Sequence, residues 1–167
     1  LEVLRSLGAD LQPVEWVSDM PFGAMQSILS AEASAAFDAL TRSDQDTLLV
    51  RQNAGSWPNS FRAARFISAV DYINANRARY ELVEKVNDLM KEFDVIVTPS
   101  FGGSQLLTTN LTGHPCVVLK NGYNNQGSPT SISFIGNLFD EATILSVARA
   151  FQEATEFDEQ HPPMFID

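Results

Sequence analysis

The 167 residues fit one ordinary domain, and 44% hydrophobic with 19% charged residues is the composition of a chain that folds around its own core. The formal net charge of -10, from 21 acidic and 11 basic residues, argues against a nucleic-acid backbone or an anionic membrane surface as the partner, since both need clustered Lys and Arg. No apolar run approaches the roughly 20 residues that a membrane helix requires.

The first predicted element is a short helix that stops at Gly8. Its apolar residues recur at helical spacing and are Leu1, Val3, Leu4 and Leu7. The chain does not start with methionine, and its first residues lack the pattern of a signal peptide, so we expect it to begin inside a helix of a longer polypeptide. Residues 10–17, "DLQPVEWV", predict a strand, and a helix followed by a strand is typical of layered α/β proteins.

Mainly helical structure is predicted for the middle of the chain. Residues 21–40 open on Pro21 and are rich in Ala and Met, which favours one helix. Residues 41–56 have no clear period and predict a loop. The second half of residues 57–93 has the strongest helical pattern, with apolar residues at i, i+3, i+4 and i+7. These residues are Leu82, Val83, Val86, Leu89, Met90 and Phe93.

Three strands are predicted next. Residues 94–100, "DVIVTPS", form a short apolar run that stops at Pro99, which is typical of a buried strand in a parallel or mixed sheet. Residues 116–121 and 130–136 predict two further strands, because the residues between them are rich in turn formers.

A helix and a tail are predicted to close the chain. Asp140 is expected to cap a helix that continues to about residue 157, and Pro162 and Pro163 end the tail. The order of the elements predicts an α/β fold, a mixed β-sheet flanked by helices, within a single domain of residues 1–167.

The stretch "LTTNLTGHPCVVL" at 107–119 is the most ambiguous one. Polar residues run through Gly113 and Pro115 into an apolar segment. Two interpretations compete: the stretch holds a nucleophile and its base, or it is a shaped turn that leads into a buried strand while the chemistry occurs elsewhere.

No established catalytic or metal-binding pattern is present in the sequence. No signature joins His114 or His161, the two histidines, to an acid and a nucleophile. One cysteine, Cys116, offers neither a disulfide nor a zinc spacing, and we expect it to be buried and inert. The single cysteine favours a reducing compartment such as the cytoplasm, although a cysteine-poor exported protein looks the same. We therefore expect no metal and no cofactor.

Several stretches together resemble the C-terminal part of amidase signature hydrolases. They are "LEVLRSLGADLQPVEW", "FISAVDYINANRARYELVEKVNDLMKEF", "EFDVIVTPS", "TTNLTGHPCVVLKNG" and "GSPTSISFIGNLFDEATILSVARAFQEATEF" followed by "HPP". The resemblance spans nearly the whole chain. It implies the C-terminal portion of a large mixed β-sheet with helices on both faces. It also implies hydrolysis or transfer of amides by a nucleophilic serine, a second serine in a cis peptide and a lysine base.

None of these catalytic residues can be assigned to a position of this chain. The nearest string to the family's Gly/Ser-rich signature is "FGGSQ" at 101–105, which has one serine. Of the three lysines, Lys85, Lys91 and Lys120, none aligns with the catalytic one. The resemblance therefore implies a C-terminal fragment that is inactive alone. Its partners would be the upstream catalytic region of the same polypeptide and, in the full-length protein, a small-molecule amide substrate.

The resemblance also favours the second interpretation of residues 107–119, a shaped segment that leads into a core strand. Loops at strand ends line the sites of α/β sheets, so this segment is expected to shape a substrate pocket. The candidate pocket residues are Thr98, Asn110, Thr112 and Gly113.

Two other hypotheses remain open. The chain can be an amidase-like binding or regulatory module that has lost catalysis, or a separate hydrolase that uses His114 with a nearby serine or Cys116. A large exposed apolar patch favours the fragment, because monomers rarely expose one. A homodimer that covers such a patch is compatible with the fragment and with the binding module.

Overall fold

A computed structural model describes residues 1–162, which divide into two compact units. The first unit comprises Leu1–Ser18 and the chain from Val83 onward, and the second comprises Asp19–Leu82. The end of the predicted tail, from Pro163, lies outside the described residues. Within residues 1–162 no helix combines the length and the apolarity that crossing a bilayer requires.

Most of the helices precede the three strands in the chain, one helix lies between the first two strands, and one follows the last strand. The helices are α1 (Glu2–Ser6), α2 (Phe22–Ala36), α3 (Asp38–Arg42), α4 (Trp57–Ala64), α5 (Ala69–Met90), α6 (Gln105–Thr112) and α7 (Glu141–Glu153), with a 3-10 helix at Gln45–Leu48. The strands are β1 (Val95–Pro99), β2 (Cys116–Tyr123) and β3 (Pro129–Gly136). The α/β class and the three strands after residue 94 are confirmed.

The sheet of the first unit has the strand order β1-β3-β2, and both pairings are antiparallel. The expectation of parallel neighbours for residues 94–100 is therefore not met within the described residues. Strands β2 and β3 are joined by a tight turn, in which Asn124 Oδ1 accepts hydrogen bonds from the backbone N–H groups of Gln126 and Ser128. A connection this short can only join antiparallel strands.

One face of the sheet forms the core of the first unit. Alternation along the strands puts Val97, Phe134 and Val117 on this face. They pack with residues of α1 and α7, and the rings of Phe134 and Phe151 lie 5.6 Å apart between centroids. Burial of such apolar side chains contributes about 2 kcal/mol each and holds the sheet to its helices.

The second unit is helical, and one predicted helix there is divided into two. The expected helix at 21–40 is interrupted at Phe37, whose backbone leaves the helical region. The helical pattern predicted for the second half of residues 57–93 is confirmed by α5, which begins after Ser68, where Ser68 Oγ accepts a hydrogen bond from the Asp71 N–H group and donates one to the Asp71 carboxylate. The Ser68 hydroxyl thereby caps the first turn of a new helix. The predicted loop at 41–56 contains the 3-10 helix.

An ion pair and a ring stack add to the packing of the second unit. The carboxylate of Asp46 is fully buried and lies 2.6 Å from Arg62 Nη2, although the angles at this contact are not those of a hydrogen bond. The ring of Phe61 stacks between those of Phe37 and Trp57, with centroids 4.8 and 5.5 Å away.

Candidate functional site

Helix α6 occupies the first part of the ambiguous stretch, where the sequence predicted a turn. Its threonines satisfy their hydroxyl groups inside the helix: Thr108 Oγ1 donates to the Ser104 carbonyl at 2.8 Å, and Thr112 Oγ1 donates to the Thr108 carbonyl at 2.9 Å. Such bonds to the preceding turn let polar residues lie in a buried helix. Gly113 then ends the helix with φ of 81°, a left-handed conformation that glycine adopts without strain.

His114 lies immediately after α6 and is 4% exposed. Its Nδ1 is 2.8 Å from Thr112 Oγ1. Since the Thr112 hydroxyl proton is already donated to Thr108, the threonine oxygen acts as the acceptor and the imidazole proton lies on Nδ1. The other ring nitrogen, Nε2, is buried and has no hydrogen-bond partner within the described residues.

Burial lowers the pKa of His114 below its ordinary value of 6.5, because the protonated ring would lose its hydration. At neutral pH the ring is therefore a neutral imidazole with a free lone pair on Nε2. That is the protonation state of a general base, but no nucleophile among residues 1–162 is hydrogen-bonded to Nε2.

The lowered pKa of His114 makes the stability of the chain pH-dependent. Above pH 6.5 the ring is neutral in both the folded and the unfolded chain, so its contribution is fully present. As pH falls through the lower folded-state pKa, the unfolded chain binds the proton more readily and stability is lost. We expect the urea midpoint of the wild-type chain to fall more between pH 7.5 and pH 5 than that of a His114→Gln variant. Parallel profiles would contradict this.

Cys116 begins β2 and is exposed, so the expected burial of its side chain is wrong. Neighbouring groups still remove enough water to raise the pKa of the thiol, an effect that a hydrogen bond with Ser133 partly offsets. A raised pKa keeps the group a thiol at neutral pH, and a thiol is a poor nucleophile. In the described part of the chain neither Cys116 nor a serine is hydrogen-bonded to His114, which argues against a separate hydrolase built on these residues.

The four candidate pocket residues lie on two elements. Thr98 is on the second face of the sheet, opposite Ser133, and Gly102 approaches it so closely that a Cβ there would lie 2.7 Å from Thr98 Oγ1. Asn110, Thr112 and Gly113 occupy the last turn of α6. Asn110 is exposed, whereas the hydroxyl of Thr112 is buried and committed to internal bonds. No hydrogen bond joins Thr98 to these three within residues 1–162.

Sequence reasoning missed the residues that hold α6 in place. Trp16 Nε1 donates to Thr108 Oγ1 at 3.3 Å, and Ser104 Oγ donates to the Val17 carbonyl at 3.3 Å. Gln105 is buried next to the sheet, with its Nε2 4.0 Å from Cys116 Sγ. No local sequence pattern predicts such contacts, since the two residues in each of the first two hydrogen bonds are about ninety residues apart in the chain.

Lys91 and Lys120 make contacts that stabilise the fold. Lys91 lies just beyond α5, not on the helix, and pairs with Asp88 at 2.7 Å. Lys120 lies within β2, where Nζ donates to Tyr123 Oη at 2.7 Å and to the Gln160 carbonyl, and it covers the Tyr123 ring. Lys85 is exposed on α5. Neither Lys91 nor Lys120 has a serine as a hydrogen-bond partner, as a serine–lysine pair would require.

Known proteins resemble this chain in sequence and in fold. The A-subunit of the glutamyl-tRNA(Gln) amidotransferase of Lysinibacillus sphaericus is 29% identical over 99% of this chain and 42% of its own length. The fatty acid amide hydrolase of Arabidopsis thaliana is 30% identical over 65% of this chain and 22% of its own length. A bacterial aryl acylamidase of the amidase signature family superposes with a TM-score of 0.69 at 16% identity, over 95% of this chain and 39% of that one. No family model matches.

These relatives are longer than the stretch that they share with this chain. The chain spans about two fifths of the amidotransferase protein and less of the amide hydrolase. The match lies in the C-terminal part of the relatives. The structural likeness, at under 25% identity, supports the fold.

Proposed function

This chain is a relative of the C-terminal part of amidase signature proteins, and from that premise we propose that it forms the C-terminal part of an enzyme that cleaves a carboxamide C–N bond. The observation that carries the proposal is the sequence match over 99% of the chain to a single amidotransferase protein. The likeness to an aryl acylamidase supports the fold that this proposal requires. The acceptor of the acyl group, water or another nucleophile, would be chosen by the complete protein.

In this proposal the chain contributes the fold and the shape of the substrate pocket. Asn110 is the candidate with an exposed amide side chain, suited to exchange hydrogen bonds with a substrate carboxamide. Gly113 fixes the end of α6 beside it, and the internally bonded Thr112 supports both positions. Thr98 would line the pocket from the sheet.

The nucleophile, its base and the oxyanion donors would come from an upstream region of the same polypeptide, with residues 1–167 as one domain of that protein. The sequence has no Gly/Ser-rich signature, the thiol pKa of Cys116 is raised, and His114 Nε2 has no hydrogen-bond partner within residues 1–162. An enzyme without these groups has nothing to lower the barrier to amide attack.

A serine-reactive fluorophosphonate probe tests whether the nucleophile lies outside residues 1–167. We expect the 167-residue chain to remain unlabelled and to show no amide turnover. The intact gene product should be longer and be labelled at a serine outside these residues. The matched control is a His114→Ala variant of the chain: labelling of the wild-type chain that disappears in this variant would contradict the proposal and favour a separate hydrolase. A gene product of 18.4 kDa would favour a binding module.

A further inference from the structure

The stretch that carries the candidate pocket residues is almost free of charged side chains. Between Asp94 and Asp140 the chain has one Lys, Arg, Asp or Glu, which is Lys120. About nine would be expected among these 45 residues from the 19% average of the chain. Lys120 Nζ donates to Tyr123 Oη and to the Gln160 carbonyl, neither of which belongs to α6. Helix α6 and the turns on both sides of it therefore offer a ligand no charged group.

Helix α6 exposes two of its side chains, those of Leu106 and Asn110, and the other six are buried or half-buried. Leu106 is 48% exposed. Residues four apart in a helix lie on one face with their Cβ atoms about 5–6 Å apart, so Leu106 is the immediate neighbour of Asn110. Phe101 is exposed in the turn that precedes the helix. The outer face of α6 thus places one amide group next to apolar side chains.

The other polar groups of this segment are turned into the fold. The hydroxyls of Thr108 and Thr112 donate to carbonyls of the preceding turn, and His114 is buried and neutral at pH 7. The amide of Asn110 is the polar side chain of α6 that a ligand can reach without displacing an internal bond. Small-molecule sites have this composition, with mostly apolar contacts and a few polar groups that fix the orientation of the ligand.

We propose that Asn110 binds the carboxamide of the substrate and that the acyl group of the substrate, lying over Leu106, is uncharged and apolar. The inference rests on the proposed function and names its substrate class. A carboxylate or ammonium group over Leu106 would lose hydration, and residues 95–119 contain no opposite charge to replace it. An apolar acyl group loses no such hydration and gains by leaving water.

Primary carboxamides of equal chain length test the substrate class on the intact gene product, with the release of ammonia as the measurement. The three compounds end in a methyl, a carboxylate or an ammonium group. We expect kcat/KM for the methyl-ended amide to exceed that for each charged amide by at least about tenfold, because only the charged ends must be desolvated without a partner. An equal or higher kcat/KM for either charged amide would overturn the inference.

A charge placed at residue 106 tests whether the acyl group lies there. The measured quantity is kcat/KM for the carboxylate-ended amide divided by that for the methyl-ended one. Leu106→Lys should raise this ratio about tenfold, and Leu106→Glu should lower it, because the new charge attracts or repels the carboxylate. Leu145→Lys is the matched control: Leu145 is 56% exposed on α7, which packs on the other face of the sheet, and its replacement should leave the ratio unchanged.

The outcomes separate this inference from the proposed function. A longer product that is labelled by the fluorophosphonate but hydrolyses the charged amides as well as the methyl-ended one would overturn the substrate class and leave the function standing. A labelled product whose ratio changes in neither Leu106 variant would overturn the position of the acyl group. A product without a labelled serine and without amide turnover would overturn both. The comparison of the three amides uses the wild-type protein and so does not depend on the folding of a variant.

Discussion

Replacing Thr112 by valine is expected to lower the free energy of unfolding by about 2 kcal/mol, because it leaves a buried donor without an acceptor. The hydroxyl of Thr112 accepts the Nδ1 proton of His114 and donates to the Thr108 carbonyl. Valine has the same shape but neither function. His114 cannot turn to water for compensation, since it is 4% exposed. Urea denaturation followed by circular dichroism measures the loss.

Thr109→Val is the matched control for this substitution. Thr109 lies in the same helix and is as buried as Thr112, at 7% exposure for both, but its hydroxyl makes a single local bond to the Leu106 carbonyl at 3.1 Å. The loss of one such bond is expected to cost no more than about 1 kcal/mol. Equal losses in the two variants would show that the imidazole of His114 does not depend on Thr112, and would contradict the assignment of its proton to Nδ1.

The strong apolar patterns of the sequence predicted the elements whose apolar faces are buried in the core of the first unit. The strands near residues 95, 116 and 130 and the last helix are confirmed, since each has an apolar face that the core of the first unit buries. The expected side-chain cap at Asp140 is absent: Asp140 precedes α7 but makes no capping hydrogen bond. Apolar periodicity identifies an element better than one polar residue identifies its end.

Helix α6 was missed because its sequence looks polar. Its threonines donate hydrogen bonds to carbonyl groups of the preceding turn, and Trp16 donates one to Thr108. The polar groups are therefore satisfied inside a helix, although the apolar pattern of the sequence did not predict one. Residues 10–17 were predicted as a strand, but they form none in the described chain, because a strand also needs a neighbour that pairs with it. The contact between Trp16 and Thr108 joins residues that are distant in the sequence, and no local pattern encodes it.

The candidate pocket residues remain predictions, but their hydrogen bonds and exposure show which side chains are accessible to a ligand. Thr112 was chosen as a polar residue beside a strand, yet its hydroxyl is buried, donates its proton to the Thr108 carbonyl and accepts from His114. Asn110 projects from the same turn into solvent. If the segment shapes a pocket, Asn110 is the residue whose side chain meets the ligand, and Thr112 and His114 hold the turn that presents it.

Adding one methyl group at Gly136 is expected to destabilise the chain by about 3 kcal/mol, since a Cβ there would lie 2.3 Å from Ile144 Cγ2. Gly136 ends β3 and donates its N–H group to the Pro115 carbonyl, while Ile144 is 1% exposed on α7. Neither the strand nor the helix can retreat without breaking the core between them. The Gly136→Ala variant, measured by urea denaturation, should therefore unfold at a much lower midpoint.

A double variant separates this steric clash from a change in backbone freedom. Ile144→Ala alone should cost about 3 kcal/mol through the cavity it leaves, but much less when Gly136 is already alanine, because the new methyl group occupies part of that space. Gly23→Ala on α2 is the control, since a Cβ there meets nothing within 4 Å, and it should be neutral or slightly stabilising. Additive losses at Gly136 and Ile144 would show that α7 does not approach β3 as closely as described. Gly136, which donates to the Pro115 carbonyl beside His114, would then lack the support of α7.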